Sequence, residues 1–282
     1  MSSKLDIIVD QSFQESLETK GFFVVDFLGL DEVNVLRSFF EQNPPELSDT
    51  FHTTHFSNNY DYKRKVNDFI IQTIQPAFKK LFTTAYRPIF ANYMIKVSNV
   101  DNFMPLHADW TYVDESMLNS YSIWIPLVDT SEENGCFGLI PYSQHLSNGI
   151  RGPRILQWNY PTNDLLINAM GKLLPIKAGQ AIVYNHRVLH YSPANKTATI
   201  RPAVNIAVVP TKQTIIHYAI PEGVDEILQF EVDDDNFFIE YDHFQMPSKG
   251  TAYCSLPRSA SPTFDDNAAF FIKMNADKKG NV

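Results

Sequence analysis

Cysteine is nearly absent from this 282-residue chain: Cys136 and Cys254 stand far apart and form no CxxC pair. That leaves no disulfide framework and no thiolate zinc site, and it points to a reducing compartment. Cations are scarce too, with 23 Lys and Arg against 32 Asp and Glu and a net charge of −9. The densest basic cluster, Lys63-Arg64-Lys65, does not extend into a stripe. Neither a nucleic acid nor an anionic membrane surface is therefore an expected partner. No run approaches the roughly 18 apolar residues of a membrane span. The stretch Met1 to Asp10 also places an acidic residue where a secretory signal would stay apolar. A soluble, cytoplasmic protein is the expectation.

What the chain does have is core-forming material: 44% hydrophobic and 13% aromatic residues, with only 20% charged. This is too apolar for a disordered chain. The length fits one large β domain, expected over 1–282 with a helical front and long polar loop (1–85), a barrel core (86–220) and a C-terminal extension (221–282). Gln11 to Lys20 reads as a helix stopped at Gly21, and Phe22 to Phe27 as a strand. Asp31 reads as the N-cap of a second helix through Glu41, ended by Pro44-Pro45. Asn43 to Tyr60 is polar and long for a connection, which suits a lid or substrate loop as well as a solvated tip. Lys65 to Phe82 places Val66, Phe69, Ile70, Ile74, Phe78 and Leu81 on one helical face, with a bend expected at Pro76.

The periodicity then changes from helical to alternating. Ile89–Val97, Tyr121–Val128, Ala181–Tyr184, Ile200–Val209 and Thr214–Ile220 read as strands, bounded by Pro, Gly, Asn or Asp. Many short strands predict a mainly β fold with flanking helices, a sandwich or barrel. Asp233-Asp234-Asp235 reads as a solvated turn, and Phe264, Phe270, Phe271 and Ile272 suggest that the tail docks.

The first chemical candidate is His107-Ala108-Asp109, because residues i and i+2 of an extended strand face one side and offer an imidazole and a carboxylate to one metal. Alone it is weak: chance gives about 0.6 such pairs in a chain of this composition. A second histidine, His190, follows a strand, with Ser192 two residues on and Arg201 on the next strand. Two histidines and a carboxylate form the facial triad that holds non-haem Fe(II) with open positions. A guanidinium fork adds the means to fix the far carboxylate of a dicarboxylate co-substrate, and Ser192 adds a hydroxyl donor. Each residue alone has a plain structural reading; the set is what is specific.

With these residues in order, the sequence resembles the phytanoyl-CoA dioxygenase family of Fe(II)- and 2-oxoglutarate-dependent oxygenases. The resemblance runs through His107-Ala108-Asp109-Trp110, Trp124-Ile125-Pro126-Leu127, Glu133-Asn134-Gly135, Pro141-Tyr142-Ser143-Gln144-His145 and His190-Tyr191-Ser192, with Asn195 and Arg201, over roughly Gly21 to Pro210. It implies a double-stranded β-helix, or jelly-roll barrel. It further implies His107, Asp109 and His190 as iron ligands, Arg201 and Ser192 on 2-oxoglutarate, Trp124 lining that pocket, and O2 consumed with release of succinate and CO2. Asp109 is retained, whereas related halogenating enzymes put a small residue there, so hydroxylation is expected rather than halogenation. Two positions depart from the family pattern: Gln180 follows Gly179 where Asp is frequent, and Tyr142 stands where Gly is common. Both are expected in loops away from the metal.

Other residues are open to two readings. Lys96 and Asn92 share a strand face and by resemblance point toward the co-substrate, or else outward from an edge. His186 precedes His190 by four residues, a metal pair on a helix but not on a strand-like stretch, and is expected not to ligate. His52, His55, Asn58, Asn59 and Tyr60 are loop residues that suit substrate contact or solvent. Trp110, Tyr112 and Tyr121 suit a pocket wall or core. The expected partner is a small molecule, an amino acid or biosynthetic intermediate in preference to a CoA thioester, handled by a monomer or homodimer. Desaturation, cyclisation or epimerisation with the same cofactors, and a metal-binding jelly roll without catalysis, stand as alternatives.

Overall fold

The computed structural model describes residues 6–47, 51–98, 102–146, 149–153, 155, 163–224, 226–234, 236–241, 246–247 and 251–257. Helix α1 (Gln11–Lys20) starts where the Asp10 carboxylate accepts from the amides of Ser12 and Phe13, and it ends at Gly21 with φ of 86°. A β-carbon at Gly21 would also strike Gln144 and Val188, so that turn needs glycine for both conformation and space. Strand β1 (Phe22–Asp26) and helix α2 (Leu30–Gln42) follow. The N-cap of α2 is Gly29 rather than Asp31, which lies with Glu32 inside the first turn and there favours the helix dipole.

The polar stretch after α2 is only partly loop. It contains β2 (Phe51–Thr53) and a 3-10 turn over Thr54–Phe56, and β2 pairs with the end of β3 (Tyr86–Lys96). Three residues are too few to show a period in sequence; an unpaired sheet edge supplies what the pattern does not. Helix α3 (Tyr60–Leu81) begins five residues before the expected start at Lys65 because the Asn59 side chain caps the Tyr62 amide, and it runs through Pro76.

The remaining strands are β4 (Met104–His107), β5 (Tyr121–Pro126), β6 (Phe137–Leu139), β7 (Lys172–Leu174, after α4, Asn163–Met170), β8 (Gln180–Asn185), β9 (His190–Ser192), β10 (Arg201–Pro210), β11 (Ile215–Ala219), β12 (Glu226–Val232) and β13 (Thr251–Pro257), with α5 (Phe237–Glu240) between the last two. The predicted strands over 22–27, 89–97, 121–128, 181–184 and 200–209 are all present. They join one antiparallel sheet in the order β1-β8-β5-β10-β3-β2. A second sheet has the order β4-β9-β6-β7, built from segments of three or four residues that the sequence pattern does not resolve.

Alternation sorts the large sheet into two faces. Phe23, Tyr93, Ile95, Ile123, Ile125, Val183, Val204 and Ile206 pack with Leu17, Leu36, Phe40, Val66, Ile70 and Ile74 of the helices. The intervening residues Phe22, Trp124, Ile182, Tyr184 and Ala203 pack instead against Phe137, Leu139 and Leu174 of the second sheet. The two sheets thus face one another as a jelly roll with helices flanking the outside. Among the described residues no strand pairing joins them into a closed barrel, so the expected barrel is a two-sheet sandwich.

Strand β11, read as part of the barrel core, belongs to a third sheet in the order β11-β12-β13. Phe237 and Phe238 of α5 pack with Phe90 and Tyr112, which places the C-terminal segment behind one wall of the sandwich. At the acidic run Asp234 accepts from the Asn236 amide through its carboxylate and from the Phe237 amide through its carbonyl; Asp235 and the tail from Arg258 lie outside the described residues. No helix among the described residues is long and apolar enough to cross a membrane.

Candidate active site

Antiparallel pairing of β4 with β9 sets His107 directly opposite His190, their ring centroids 4.1 Å apart. The Nδ1 atom of His107 lies 2.7 Å from the Pro105 carbonyl and that of His190 lies 3.0 Å from the Val188 carbonyl. A carbonyl only accepts, so each ring carries its proton on Nδ1 and keeps Nε2 as a lone-pair donor for a metal. Phe137 stacks on His190 at 5.2 Å and fixes that ring plane. β4 ends at His107, so Asp109 reaches the site from the following loop rather than from the strand.

Asp109 is held from the large sheet. Its Oδ2 accepts from Tyr184 at 2.9 Å and from Ser122 at 3.0 Å, while Oδ1 lies 3.6 Å from His190 Nε2. The ligand atoms of His107, Asp109 and His190 all lie within 4.8 Å of one another, a set able to hold a metal ion. Burial pushes His107 down to about 3, with His190 beside it acting in the same direction, so the ring is neutral and ready to ligate. Burial raises the Asp109 carboxyl, but His190, His186, His107 and the Tyr184 hydroxyl outweigh it and hold the group below the usual carboxylate range.

A small cavity next to the histidines is lined by His107, His190, Ser192, Arg201 and Trp124, among others. Arg201 is 2% exposed, and its Nε and Nη1 have no hydrogen-bond partner. Its guanidinium carbon lies 5.3 Å from the Trp124 ring centroid. Burial pushes this guanidinium down to about 10. Lys96 is fully buried, with Nζ donating to the carbonyls of Asn102, Ser192 and Pro193. Gly135 of the Glu-Asn-Gly motif lies against this lysine: a β-carbon there would sit 2.6 Å from Lys96 Cδ, and φ is 79°.

A larger cavity of about 290 Å³ adjoins the smaller one, sharing Phe51, Met94, Met104 and His107 with it. His107, Asp109, Trp110, Tyr112, Phe90, Asn92 and Asn205 line it, together with Phe51, Thr53 and His55 from the polar stretch. Tyr121 instead packs with the helices. His52, Asn58 and Asn59 border a separate surface hollow, and Tyr60 is exposed.

Several supporting residues escape sequence reasoning. Tyr184 and Ser122 hold Asp109, and Arg151, itself ion-paired with Glu115, donates from Nε to the Asp109 carbonyl. Ser122 and Tyr184 carry a faint signal, polar groups at inward positions of apolar strands; Arg151 carries none. Gln180, expected in a loop, is instead the first residue of β8, paired with Asp26 of β1; its side chain donates to the Asp26 carboxylate and accepts from the Lys177 amide. Tyr142, at the position where Gly is common in the family, is the one non-glycine with positive φ among the described residues, 68°. A left-handed backbone explains a preference for glycine there.

Residues 18–203 match the family described as Phytanoyl-CoA dioxygenase (PhyH), and the chain belongs to that family. A Caenorhabditis briggsae relative, "Phytanoyl-CoA dioxygenase domain-containing protein 1 homolog", is 24% identical over 168 residues, covering 51% of this chain and 58% of the relative. The chain spans about half the length of the curated relatives it matches. Among solved structures, the non-heme alpha ketoglutarate dependent carbocyclase SnoK from nogalamycin biosynthesis superposes with a TM-score of 0.55 at 16% identity, over 73% of this chain and 86% of that one. The epimerase SnoN in complex with Fe3+, alpha ketoglutarate and nogalamycin RO gives 0.54 at 15% identity, over 76% and 87%. At such identities these two structures bear on the fold alone.

Proposed function

We propose that this protein is an Fe(II)- and 2-oxoglutarate-dependent dioxygenase that uses O2 to hydroxylate a C–H bond of a small molecule, releasing succinate and CO2. The observation that carries the reading is Arg201: a buried guanidinium with two unpartnered nitrogens, in the wall of the cavity that His107, His190 and Ser192 share. A buried cation without an anion is costly, and a carboxylate on two parallel N–H bonds removes that cost.

In this reading His107 and His190 hold the metal through Nε2 and Asp109 holds it through Oδ1. Arg201 and the Ser192 hydroxyl take the distal carboxylate of 2-oxoglutarate beside Trp124. When bound, the iron and co-substrate supply the oxidation itself. The chain's own groups position them: Tyr184 and Ser122 bond Asp109 Oδ2 and leave Oδ1 toward His190. Lys96 gathers three carbonyls and fixes the backbone that carries Ser192, a structural part in place of direct contact with the co-substrate. The larger cavity, lined by His107 and Asp109, takes the substrate.

The test is anaerobic addition of Fe(II) and 2-oxoglutarate to the apo-protein, read by the weak visible charge-transfer band of a chelate, followed by succinate release in air. The band is expected in the wild type and not in Arg201→Ala. No band in folded, iron-loaded wild type refutes the proposal.

A further inference from the structure

Asn205 on β10 and Asn92 on β3 are directly paired across the large sheet, and both line the 290 Å³ cavity beside Asp109. Amides on the inner face of an otherwise apolar sheet need partners. Asn92 has one: its Oδ1 accepts from the Thr53 hydroxyl at 3.0 Å, which leaves its amino group to donate. Asn205 is 8% exposed, and its Oδ1 has no hydrogen-bond partner. One residue thus offers a donor and its neighbour an acceptor, at the separation of a cross-strand pair, about 5 Å between β-carbons.

Charge is what the cavity does not offer. Apart from Asp109, its charged lining among the described residues is Arg151, which is 1% exposed and committed to Glu115 and to the carbonyls of Asp109 and Gly149. The remaining wall is largely apolar, with Phe51, Phe90, Trp110 and Tyr112 beside Met94, Met104 and Ile155, and it adds the polar Thr53 and His55. No side chain of this wall offers a substrate carboxylate or phosphate an available cation, and an ammonium would compete for the carboxylate already turned to the histidines.

We propose that Asn92 and Asn205 anchor the substrate of this site, and that the substrate is an uncharged molecule bearing adjacent N–H and C=O groups, a carboxamide or lactam edge, on a compact apolar body. The proposal rests on the oxygenase reading for which of the two cavities is the substrate's. It replaces the free amino acid of the sequence-based expectation with a neutral amide. The anchor sits on the rigid inner sheet, so it would fix which C–H bond faces the metal ligands.

The full-length protein, loaded with Ni(II) and 2-oxoglutarate so that Arg201 is already engaged, is titrated by ligand-observed NMR. The probes are 3-phenylpropanamide, 3-phenylpropanoate and 3-phenylpropylammonium, matched in size and differing in charge. The amide is expected to bind about tenfold or more tightly than either ion, and Asn205→Leu and Asn92→Leu to weaken it by about tenfold each, as the loss of a buried hydrogen bond requires. Binding of 2-oxoglutarate to the Ni(II)-loaded variants, measured by calorimetry, reports that they are folded. Should Asn205→Leu not fold, Asn205→Asp, of the same size, is expected to reverse the preference toward the ammonium. Equal or tighter binding of an ion to the wild type, or amide binding unmoved by the substitutions, overturns the proposal. Failure of the wild type to bind 2-oxoglutarate overturns the oxygenase reading instead, and the amide preference still decides the anchor.

Discussion

His186 and Asp109 are joined through one hydroxyl: Ser122 Oγ lies 3.0 Å from Asp109 Oδ2 and 2.9 Å from His186 Nε2, while the two side chains themselves stay 3.9 Å apart. Ser122 has a single proton to give. Donating it to the carboxylate, it accepts from the Nε2–H of His186, whose Nδ1 then accepts from the Ser120 hydroxyl at 2.7 Å. Burial pushes His186 down to about 4, so the chain of bonds ends in a neutral ring. His186 thereby supports a ligand without being one.

This arrangement predicts that removing the groups behind Asp109 weakens the metal site without removing a ligand. Ser122→Ala and Tyr184→Phe should each lower Fe(II) affinity by about 10- to 100-fold, the range for groups that orient metal ligands. Chelator competition measures it. Unchanged affinity in both variants would show that Asp109 does not depend on these bonds.

Arg201→Ala should weaken 2-oxoglutarate binding on the order of 100-fold while leaving metal affinity near that of the wild type, since the guanidinium lies against the co-substrate cavity. Arg201→Lys should rescue little, because a point charge does not reproduce the fork or the contact with Trp124. Calorimetry on Ni(II)-loaded protein separates the two binding terms; full rescue by lysine would argue against a bidentate clamp.

His217 gives the fold a pH dependence of its own. It is 1% exposed among Trp110, Phe237, Phe238 and Tyr241, its Nε2 has no partner, and burial pushes it down to about 3 from the ordinary 6.5. The unfolded chain therefore binds a proton below 6.5 that the folded chain refuses. Stability is complete above that pH and falls as pH drops toward 3, by about 2 kcal/mol at pH 5 from this residue. His217→Phe should remove that share of the acid sensitivity, read from urea unfolding at pH 7.5 and 5.0. Identical pH dependence in the two proteins would refute it.

Lys96→Met keeps the length of the buried stem and deletes the ammonium, leaving the carbonyls of Asn102, Ser192 and Pro193 without this donor. A stability loss of about 2–4 kcal/mol is expected, together with weaker 2-oxoglutarate binding as Ser192 loses its fixed backbone. A lysine that instead touched the co-substrate would show the binding loss with no change in unfolding midpoint.

Much of the large sheet is legible in the sequence because its strands are long enough for alternation to show: Ile123 and Ile125 against Ser122 and Trp124, Val204 and Ile206 against Ala203 and Asn205. The second sheet is not, because β6, β7 and β9 have three residues each and owe their conformation to pairing. Asp31 looked like a cap because Asp favours that position, yet the chain enters α2 two residues earlier at Gly29, where backbone geometry outranks side-chain preference. The polar stretch after α2 hid β2 and buried His55 because polar composition does not reveal a cavity wall.

By itself the sequence determined the ligand types, their order along the chain, the facing of each long strand and the presence of an arginine two strand ends from a histidine. Those are local properties, fixed by side-chain chemistry and a period of two. Only the tertiary structure decided that His107 and His190 face across one antiparallel pair, that Tyr184 and Ser122 hold Asp109, that Lys96 closes on backbone carbonyls, and that Asn205 faces a cavity without a partner. Register between strands distant in sequence sets all four, and register follows from how the whole inner face packs rather than from any segment read alone.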